Sequence, residues 1–336
     1  MPEAREHKNK KYPWRGVLCF FAAFACGASV AVIYNYFTNA LPSTAPDLDM
    51  RLGEGHYTYI NPLLECNIGA DISNELQTFK KELQGRIDAA IAQKSIDSAS
   101  VYFRDMNNGP WFGLNETQEF YPASLLKVPI MMAYYKASEA SSTLLADRIL
   151  FAKKINPHTE YFASNTIMLG RTYTVGELIS AMITHSDNDA MDLLVTNASA
   201  LGVDASDALD ALNVNLGSDG MITVRQYATF FRILFNSSYL DYDDSEKALG
   251  LLAQSSFTQG LQAGVPSTVN VAHKFGEQWS FTNPEKELHD CGIVYYPNHP
   301  YLLCIMTQGT DFNLMANTIA DISRYVYSQV DNQLGR

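Results

Sequence analysis

Strand patterns at the two ends of a long helical stretch limit most strongly how this chain folds. Residues 99–104 alternate apolar and polar side chains, and Trp111–Leu114 returns after an Asn-Asn-Gly turn. The middle of the chain, residues 124–250, has mostly helical spacing. Strand patterns come back in three late segments, residues 269–275, 291–296 and 301–306. We therefore predict one α/β domain whose sheet is assembled from distant segments, with an inserted helical subdomain.

Apolar residues at helical spacing predict the main helices. The first predicted helix covers residues 72–94 and has one buried face. Further helices are predicted over residues 175–184, 189–197, 224–235 and 312–330.

An uncharged apolar run covers residues 16–34 and is long enough, as a helix, to cross a membrane. Five basic residues precede it, which predicts that the N-terminus stays in the cytoplasm and the remainder lies outside. The alternatives are a cleaved signal peptide and a lipoprotein signal at Cys26. We divide the chain into a basic cytoplasmic tail (1–15), a transmembrane anchor (16–37), a linker with short extended segments (38–71) and a folded domain (72–336).

Charge and cysteine spacing exclude several classes of function. The chain has 24 basic and 36 acidic residues, so a generally basic nucleic-acid-binding surface is not expected. No Cys-x-x-Cys pair or phosphate-cradling loop is present, and we predict neither a metal nor a cofactor. Outside the apolar run, Cys66, Cys291 and Cys304 either form one disulfide, in an open pairing, or stay as buried thiols. The oligomeric state is left open.

Ser124 and Lys127 lie three residues apart at the start of a predicted helix, and therefore on one helical face. A serine hydroxyl is a poor nucleophile, and a lysine held neutral by burial can take its proton. This motif alone is weak, because Ser-x-x-Lys arises by chance about once in a chain of this length.

Two later motifs supply the groups that such a nucleophile needs. Ser186-Asp187-Asn188 offers a hydroxyl and an amide, although taken singly it is an ordinary helix cap. Lys274-Phe275-Gly276 ends a predicted strand, where a lysine attracts a substrate carboxylate and a glycine lets a substrate approach closely. Taken singly, it is an edge-strand lysine before a turn.

Together and in this order, the three motifs resemble the class A β-lactamase and penicillin-binding family, whose signature is Ser-x-x-Lys, Ser-Asp-Asn and Lys-Thr-Gly. The flanks around residues 173–178 and 260–266, and the hairpin of residues 292–302, are similar too. The resemblance covers about residue 72 to the C-terminus. It implies the β-lactamase/transpeptidase-like fold, with a largely antiparallel sheet flanked by helices.

The resemblance also implies a role for each matching residue. Ser124 is the acylated nucleophile, Lys127 its activating base and Ser186 the proton shuttle to the leaving nitrogen. Asn188 binds the substrate amide, and Lys274 supplies positive potential near the substrate carboxylate. The substrate-binding set is Asn188, Lys274, Gly276 and Glu277, with the backbone N–H groups of Ser124 and Glu277 as the oxyanion hole.

Two departures from the family pattern bear on the reaction. Phe275 stands where the family has Thr or Ser, so a hydroxyl that helps to hold the substrate carboxylate is missing. The Glu-x-x-Leu-Asn pattern that positions the deacylating water in the family is absent. Residues 197–223, where that loop would fall, have aspartates as their only carboxylate side chains. Glu160 and Glu277 are the substitutes considered, although each is expected to be a solvated surface residue.

The apolar run predicts that the protein is membrane-anchored and extracytoplasmic, and the resemblance implies that it is a serine hydrolase. Its expected substrates are β-lactams or the D-alanyl peptides of cell-wall precursors. Two alternatives stay open: a penicillin-binding transpeptidase or carboxypeptidase with slow deacylation, and a catalytically silent cell-wall-binding domain.

Overall fold

The computed structural model describes residues 57–62, 74–107, 110–157, 159–217, 219–280 and 283–334. The predicted tail, the anchor, most of the linker and Cys66 lie outside the described residues. Within the described ranges, no helix has the length and apolar character needed to span a membrane.

A five-stranded antiparallel sheet carries the fold, in the order β2-β1-β9-β8-β7. Two short antiparallel pairs, β3 with β6 and β4 with β5, lie outside it. In the described residues the strands are β1 Ser98–Asp105, β2 Trp111–Leu114, β3 Glu119–Phe120, β4 Arg148–Leu150, β5 Thr172–Thr174, β6 Ile222–Thr223, β7 Val271–Ser280, β8 Asn283–Val294 and β9 Tyr301–Gly309.

Helices supply the two layers that cover the sheet. In chain order they are α1 Asn74–Ala92, α2 Lys127–Ala140, α3 Val175–Thr184, α4 Asn188–Asn197, α5 Asp207–Ala211, α6 Val224–Asn236, α7 Tyr242–Leu252 and α8 Phe312–Leu334. The five predicted helices are confirmed, with ends that differ by at most a few residues. The strand patterns are confirmed as well. As predicted, one sheet joins strands that precede the helical middle of the chain with strands that follow it.

The hairpin of β7 and β8 extends further than predicted. The prediction ended the first strand at residue 275 and began the second at residue 291, whereas pairing continues outward to Ser280 and Asn283. The added residues are largely polar or charged, so their side chains carry no apolar alternation to mark a strand. Backbone hydrogen bonds continue the ladder through these residues, and the buried Leu288 side chain packs into the core.

Two hydrophobic cores lie on opposite faces of the sheet because side chains alternate along each strand. Val101 and Phe103 of β1 face the core formed with α1 and α8. Tyr102, between them, faces the larger core formed with α2, α3 and α6. The structure also joins Cys291 of β8 to Cys304 of β9, which are directly opposite one another in the sheet.

Two glycines provide a matched stability test of this packing. A Cβ on Gly292 of β8 would lie 2.4 Å from the Ala272 carbonyl oxygen and 2.4 Å from the His273 Cβ. On exposed Gly85 of α1, a Cβ would meet nothing within 4 Å. We predict that Gly292→Ala lowers the free energy of unfolding by about 1–3 kcal/mol, whereas Gly85→Ala raises it by about 0.5–1 kcal/mol. Denaturant titration of both variants measures the signs, and two changes of the same sign would contradict the packing described.

Candidate active site

The segment that presents Ser124 is a short 3-10 turn, Ala123–Leu126, which continues directly into helix α2. Ala123 has φ +48°, a left-handed conformation that costs free energy for any residue with a Cβ. The strained backbone aims half-buried Ser124 into a cleft of about 420 Å³. The helix start predicted for this motif is confirmed. The cleft is lined by Ala123, Ser124, Thr159, Asn188, Met191, Glu277, Gln278 and Trp279.

Lys127 lies one turn further along, fully buried beneath the serine. Its Nζ is 3.0 Å from the Ser124 Oγ and 3.1 Å from the Ser186 Oγ. It also donates to the Ser186 carbonyl oxygen and to the Asn188 Oδ1, each at 2.6 Å. Burial lowers the pKa of Lys127 to about 7, against the smaller opposing effect of nearby carboxylates.

The partners of Lys127 indicate where its N–H groups and its lone pair point once the amine is neutral. A neutral lysine amine has two N–H groups and one lone pair. The Ser186 carbonyl and the Asn188 side-chain oxygen only accept, and they make the two shortest contacts, so they take both N–H groups. The lone pair is then left for a hydroxyl, and Ser124 is within 3.0 Å. This is the arrangement of a nucleophile and its general base.

Ser186 connects Lys127 to the second buried lysine. Its hydroxyl accepts from Lys274 Nζ at 2.9 Å as well as contacting Lys127, and its own backbone has φ +54°. The following residue, Asp187, caps helix α4 by accepting from the Ala190 N–H. The helix cap expected at this motif is therefore present, and it lies beside the hydroxyl that faces the two lysines.

Lys274 is on β7, the edge strand, and is fully buried. It donates to the Phe275 carbonyl oxygen at 2.8 Å, and its Nζ lies 4.3 Å from the centre of the Phe275 ring. Burial, reinforced by the positive charge of Lys127, lowers its pKa well below the ordinary lysine value. The Phe275 ring is buried and stacks on Phe257 at 4.3 Å. An aromatic pair thus stands where the related pattern has a hydroxyl.

Gly276 serves a different contact from the one expected. A Cβ on this residue would lie 2.9 Å from the Pro122 carbonyl oxygen and 3.0 Å from Leu125. Both atoms belong to the chain segment around the nucleophile. In this structure the glycine therefore lets β7 approach the turn that carries Ser124.

Glu277 was expected to be a solvated side chain, and that expectation is wrong. Its carboxylate is half-buried and accepts from the backbone N–H groups of Tyr161, Phe162 and Ala163, at 2.9, 2.8 and 3.3 Å. It fastens the loop of residues 159–163 to the edge strand. Since three donors already engage this carboxylate, it is poorly suited to act as a base.

Glu160 was also expected to be solvated, and it too is half-buried. Its Oε1 accepts from the Asn165 amide at 2.7 Å and from the Asn188 amide at 3.2 Å. Asn165 in turn accepts from the backbone N–H of Asn188 at 2.9 Å. Glu160, considered from the sequence as a substitute base, therefore does reach the site. Asn165 is a site residue that the sequence did not reveal, because it lies in no motif and reaches the site through a loop.

Three of the four aspartates between residues 197 and 223 accept hydrogen bonds from side chains outside the cleft. Asp204 and Asp210 accept from the Ser206 hydroxyl, and Asp207 accepts from the Tyr239 hydroxyl. None of them is among the residues that line the cleft. Within the described part of the chain, the carboxylate in contact with Asn188 is that of Glu160.

Comparisons with known proteins find one family model and two curated relatives. The model of the "Beta-lactamase enzyme family" matches residues 81–330. The Escherichia coli β-lactamases CTX-M-97 and Toho-1 are each 23% identical over 256 residues, which is 70% of this chain and 79% of each relative.

Solved structures show the same fold at low identity. PBP-A has a TM-score of 0.63 and 21% identity, and the match covers 76% of this chain and 97% of PBP-A. A point mutant of PBP-A, in an acyl-enzyme complex with penicillin G, matches equally well. A class A β-lactamase from Bacteroides cellulosilyticus has a TM-score of 0.64 and 18% identity, over 76% of this chain and 99% of that protein.

The charge of Glu160 gives a test of the base. Its negative charge raises the pKa of Lys127, so Glu160→Gln lowers that pKa. We predict that the acylation rate of the unchanged chain rises through pH about 7, as Lys127 loses its proton. In Glu160→Gln the same rise moves to lower pH, by up to about one unit.

Acylation rates of the full chain from pH 5 to 9, followed by mass, measure both profiles. Asp88→Asn removes one charge from exposed α1 and serves as the control, with no shift expected. A rise that moves to higher pH in Glu160→Gln would contradict the assignment.

Proposed function

The chain belongs to the beta-lactamase enzyme family, and from that premise we propose that Ser124 is acylated by the carbonyl of a β-lactam or of a D-alanyl cell-wall peptide. The protein is a class A beta-lactamase-like serine hydrolase. The observation that carries the proposal is the 3.0 Å contact between Ser124 Oγ and the Nζ of a lysine whose pKa is lowered to about 7.

The acylation step follows from the contacts of Lys127. Its neutral Nζ takes the proton from Ser124 Oγ while the oxygen attacks the amide carbonyl carbon. The carbonyl π electrons move onto oxygen, and we assign this oxyanion to the backbone N–H groups of Ser124 and Glu277, both of which line the cleft. The Asn188 amide holds the acyl side chain of the substrate.

The leaving nitrogen needs a proton, and Ser186 is in position to relay it. Its hydroxyl touches both Lys127 and Lys274, so it can give its proton to the nitrogen and receive one from Lys127. The C–N bond then breaks, and Ser124 is left as an ester with Lys127 neutral again. No net proton is lost in this sequence.

Deacylation is the slower half of the proposed cycle. Glu277 is engaged by three N–H groups, and the aspartates of residues 197–223 face other partners. Glu160 is the remaining described carboxylate in contact with the site, and it is tied to two amides. The second candidate function, a penicillin-binding transpeptidase or carboxypeptidase, is favoured by this lack of a dedicated base.

We also propose a weak dependence on the substrate carboxylate. Phe275 offers no hydroxyl, and Lys274 is fully buried with its Nζ over the Phe275 ring. The usual electrostatic anchor for a β-lactam carboxylate is therefore shielded from the cleft. This favours substrates that are held mainly by their amide and acyl groups.

Location and partners belong to the same proposal. The uncharged run of residues 16–34, with basic residues before it, supports an anchor that holds the domain of residues 72–336 outside the cytoplasm. Peptidoglycan peptides would be the partners available there. A catalytically silent cell-wall-binding domain is disfavoured, because a binding module has no chemical need for Ser124 and Lys127.

Intact-mass spectrometry of the full chain with benzylpenicillin over time tests the proposal, with Ser124→Ala as the control. We predict an adduct of one penicillin mass that is absent from the control. An enzyme with a typical kcat of about 10 s⁻¹, slowed about 10³-fold by the missing base, keeps its ester for a time on the order of minutes. An adduct of equal amount in Ser124→Ala, or no adduct at any pH, would overturn the proposed nucleophile.

A β-lactam with its carboxylate masked tests substrate recognition. We predict that the methyl ester of benzylpenicillin acylates Ser124 more slowly than the free acid, by a factor below about ten. That factor corresponds to about 1.4 kcal/mol in activation free energy. The physical reason is that Lys274 is fully buried, with its Nζ over the Phe275 ring and a pKa well below the ordinary lysine value. A loss of more than about a hundredfold, measured by the same mass assay, would mean that the carboxylate has a direct cationic partner.

A further inference from the structure

A pocket of about 210 Å³ lies at the edge of the sheet opposite the catalytic cleft. The cleft lies beside β7, whereas this second pocket lies beside β1 and β2 and under helix α6. It is lined by Tyr102, Arg104, Trp111, Arg225, Ala228, Thr229 and Arg232. We call it the arginine pocket. The catalytic residues described above contribute nothing to it.

The three arginines converge because of ordinary helix and strand periodicity. Arg225, Thr229 and Arg232 are four and three residues apart on α6, and therefore share one helical face. Arg104 lies two residues from Tyr102 on β1, on the same face of the sheet. Trp111 of β2 is directly opposite Arg104.

The arginine pocket is organised before any ligand enters. The Trp111 ring stacks on the Tyr102 ring at 5.6 Å, and the Arg225 guanidinium lies 4.6 Å from the centre of the Trp111 ring. A guanidinium that stacks through its face keeps its N–H donors pointing outward in its plane. The Thr229 hydroxyl adds a further polar group to the lining.

Charge in the arginine pocket is unbalanced. The chain has twelve more acidic than basic residues, yet no acidic residue lines this pocket. Across the residues that the structure describes, Arg104, Arg225 and Arg232 form no ion pair within 4.0 Å with a carboxylate. Like charges held together repel, and an anion that binds among them relieves the repulsion.

The number and kind of donors point to a phosphoryl group. One guanidinium satisfies a carboxylate by a bidentate pair, so three are more than a simple carboxylate needs. A phosphate has three or four oxygens and up to two negative charges, and arginine forks match its geometry. We propose that the arginine pocket binds a phosphate ester or pyrophosphate, with the attached group beside Trp111.

Calorimetric titration of the full chain with pyrophosphate, at constant ionic strength, tests this inference. We predict saturable binding of pyrophosphate in the calorimeter. In a parallel titration followed by fluorescence, we predict a change in the emission of Trp111. The double variant Arg225→Gln/Arg232→Gln is expected to raise the Kd at least about tenfold. Arg225→Lys keeps the positive charge but loses the forked pair of donors, so its Kd should lie between that of the unchanged chain and that of the double variant. Arg171→Gln, an exposed arginine outside the pocket, should leave the Kd unchanged.

Three further measurements distinguish lost binding from a folding defect, test the preference for phosphate over carboxylate, and identify the source of the phosphate group. The acylation rate of the double variant by benzylpenicillin should equal that of the unchanged chain, because the cleft lies at the other edge of the sheet. Acetate at the same concentration should not compete. Glycerol phosphate and dihexanoyl phosphatidic acid carry the same phosphate monoester, and tighter binding of the second identifies a lipid headgroup as the source.

Pyrophosphate that fails to bind at millimolar concentration would overturn the inference. So would an unchanged Kd in the double variant, or acetate that competes as well as phosphate. The serine chemistry proposed above does not depend on any of these results.

Discussion

The Ser186 hydroxyl is held between two buried lysine amines, and the chemistry of the cleft depends on that arrangement. Lys127 lies 3.1 Å away on one side and Lys274 lies 2.9 Å away on the other. Two ammonium groups so close, and both fully buried, strongly disfavour the doubly charged state. The pair therefore loses its first proton far more readily than free lysine does. A lysine without its proton is what a serine nucleophile requires.

The fold produces this arrangement by bringing three distant chain segments to one edge of the sheet. The turn that carries Ser124 packs against β7, where Gly276 leaves room for it. Helix α4 begins at the neighbouring motif, and its Asp187 cap fixes the strained backbone of Ser186. Two of the residues with left-handed backbone lie in the site: Ala123 precedes Ser124, and Ser186 carries the hydroxyl between the lysines. The packing of the helical subdomain offsets the conformational free energy that these two backbone conformations cost.

Much of this was predictable from the sequence, and the exceptions have physical reasons. Residues 175–184 form the predicted helix because Thr174 and Glu177 make a capping box ahead of an apolar run. The three motifs were found because each is contiguous and carries its own chemistry. Glu160 was expected to be solvated and Asn165 was missed, because their roles come from contacts with each other and with Asn188 through a loop. No local pattern marks a residue whose partners are set by tertiary structure alone.

The proposed acylation depends above all on the charge state of Lys127. A direct measurement is NMR titration of the chain with ¹³C-labelled lysine ε-carbons, with the Lys127 signal assigned by its loss in Lys127→Arg. We predict a titration midpoint near pH 7, far below the ordinary lysine value of 10.5. A midpoint at or above the ordinary value would mean that Lys127 stays charged at neutral pH and cannot take the proton of Ser124.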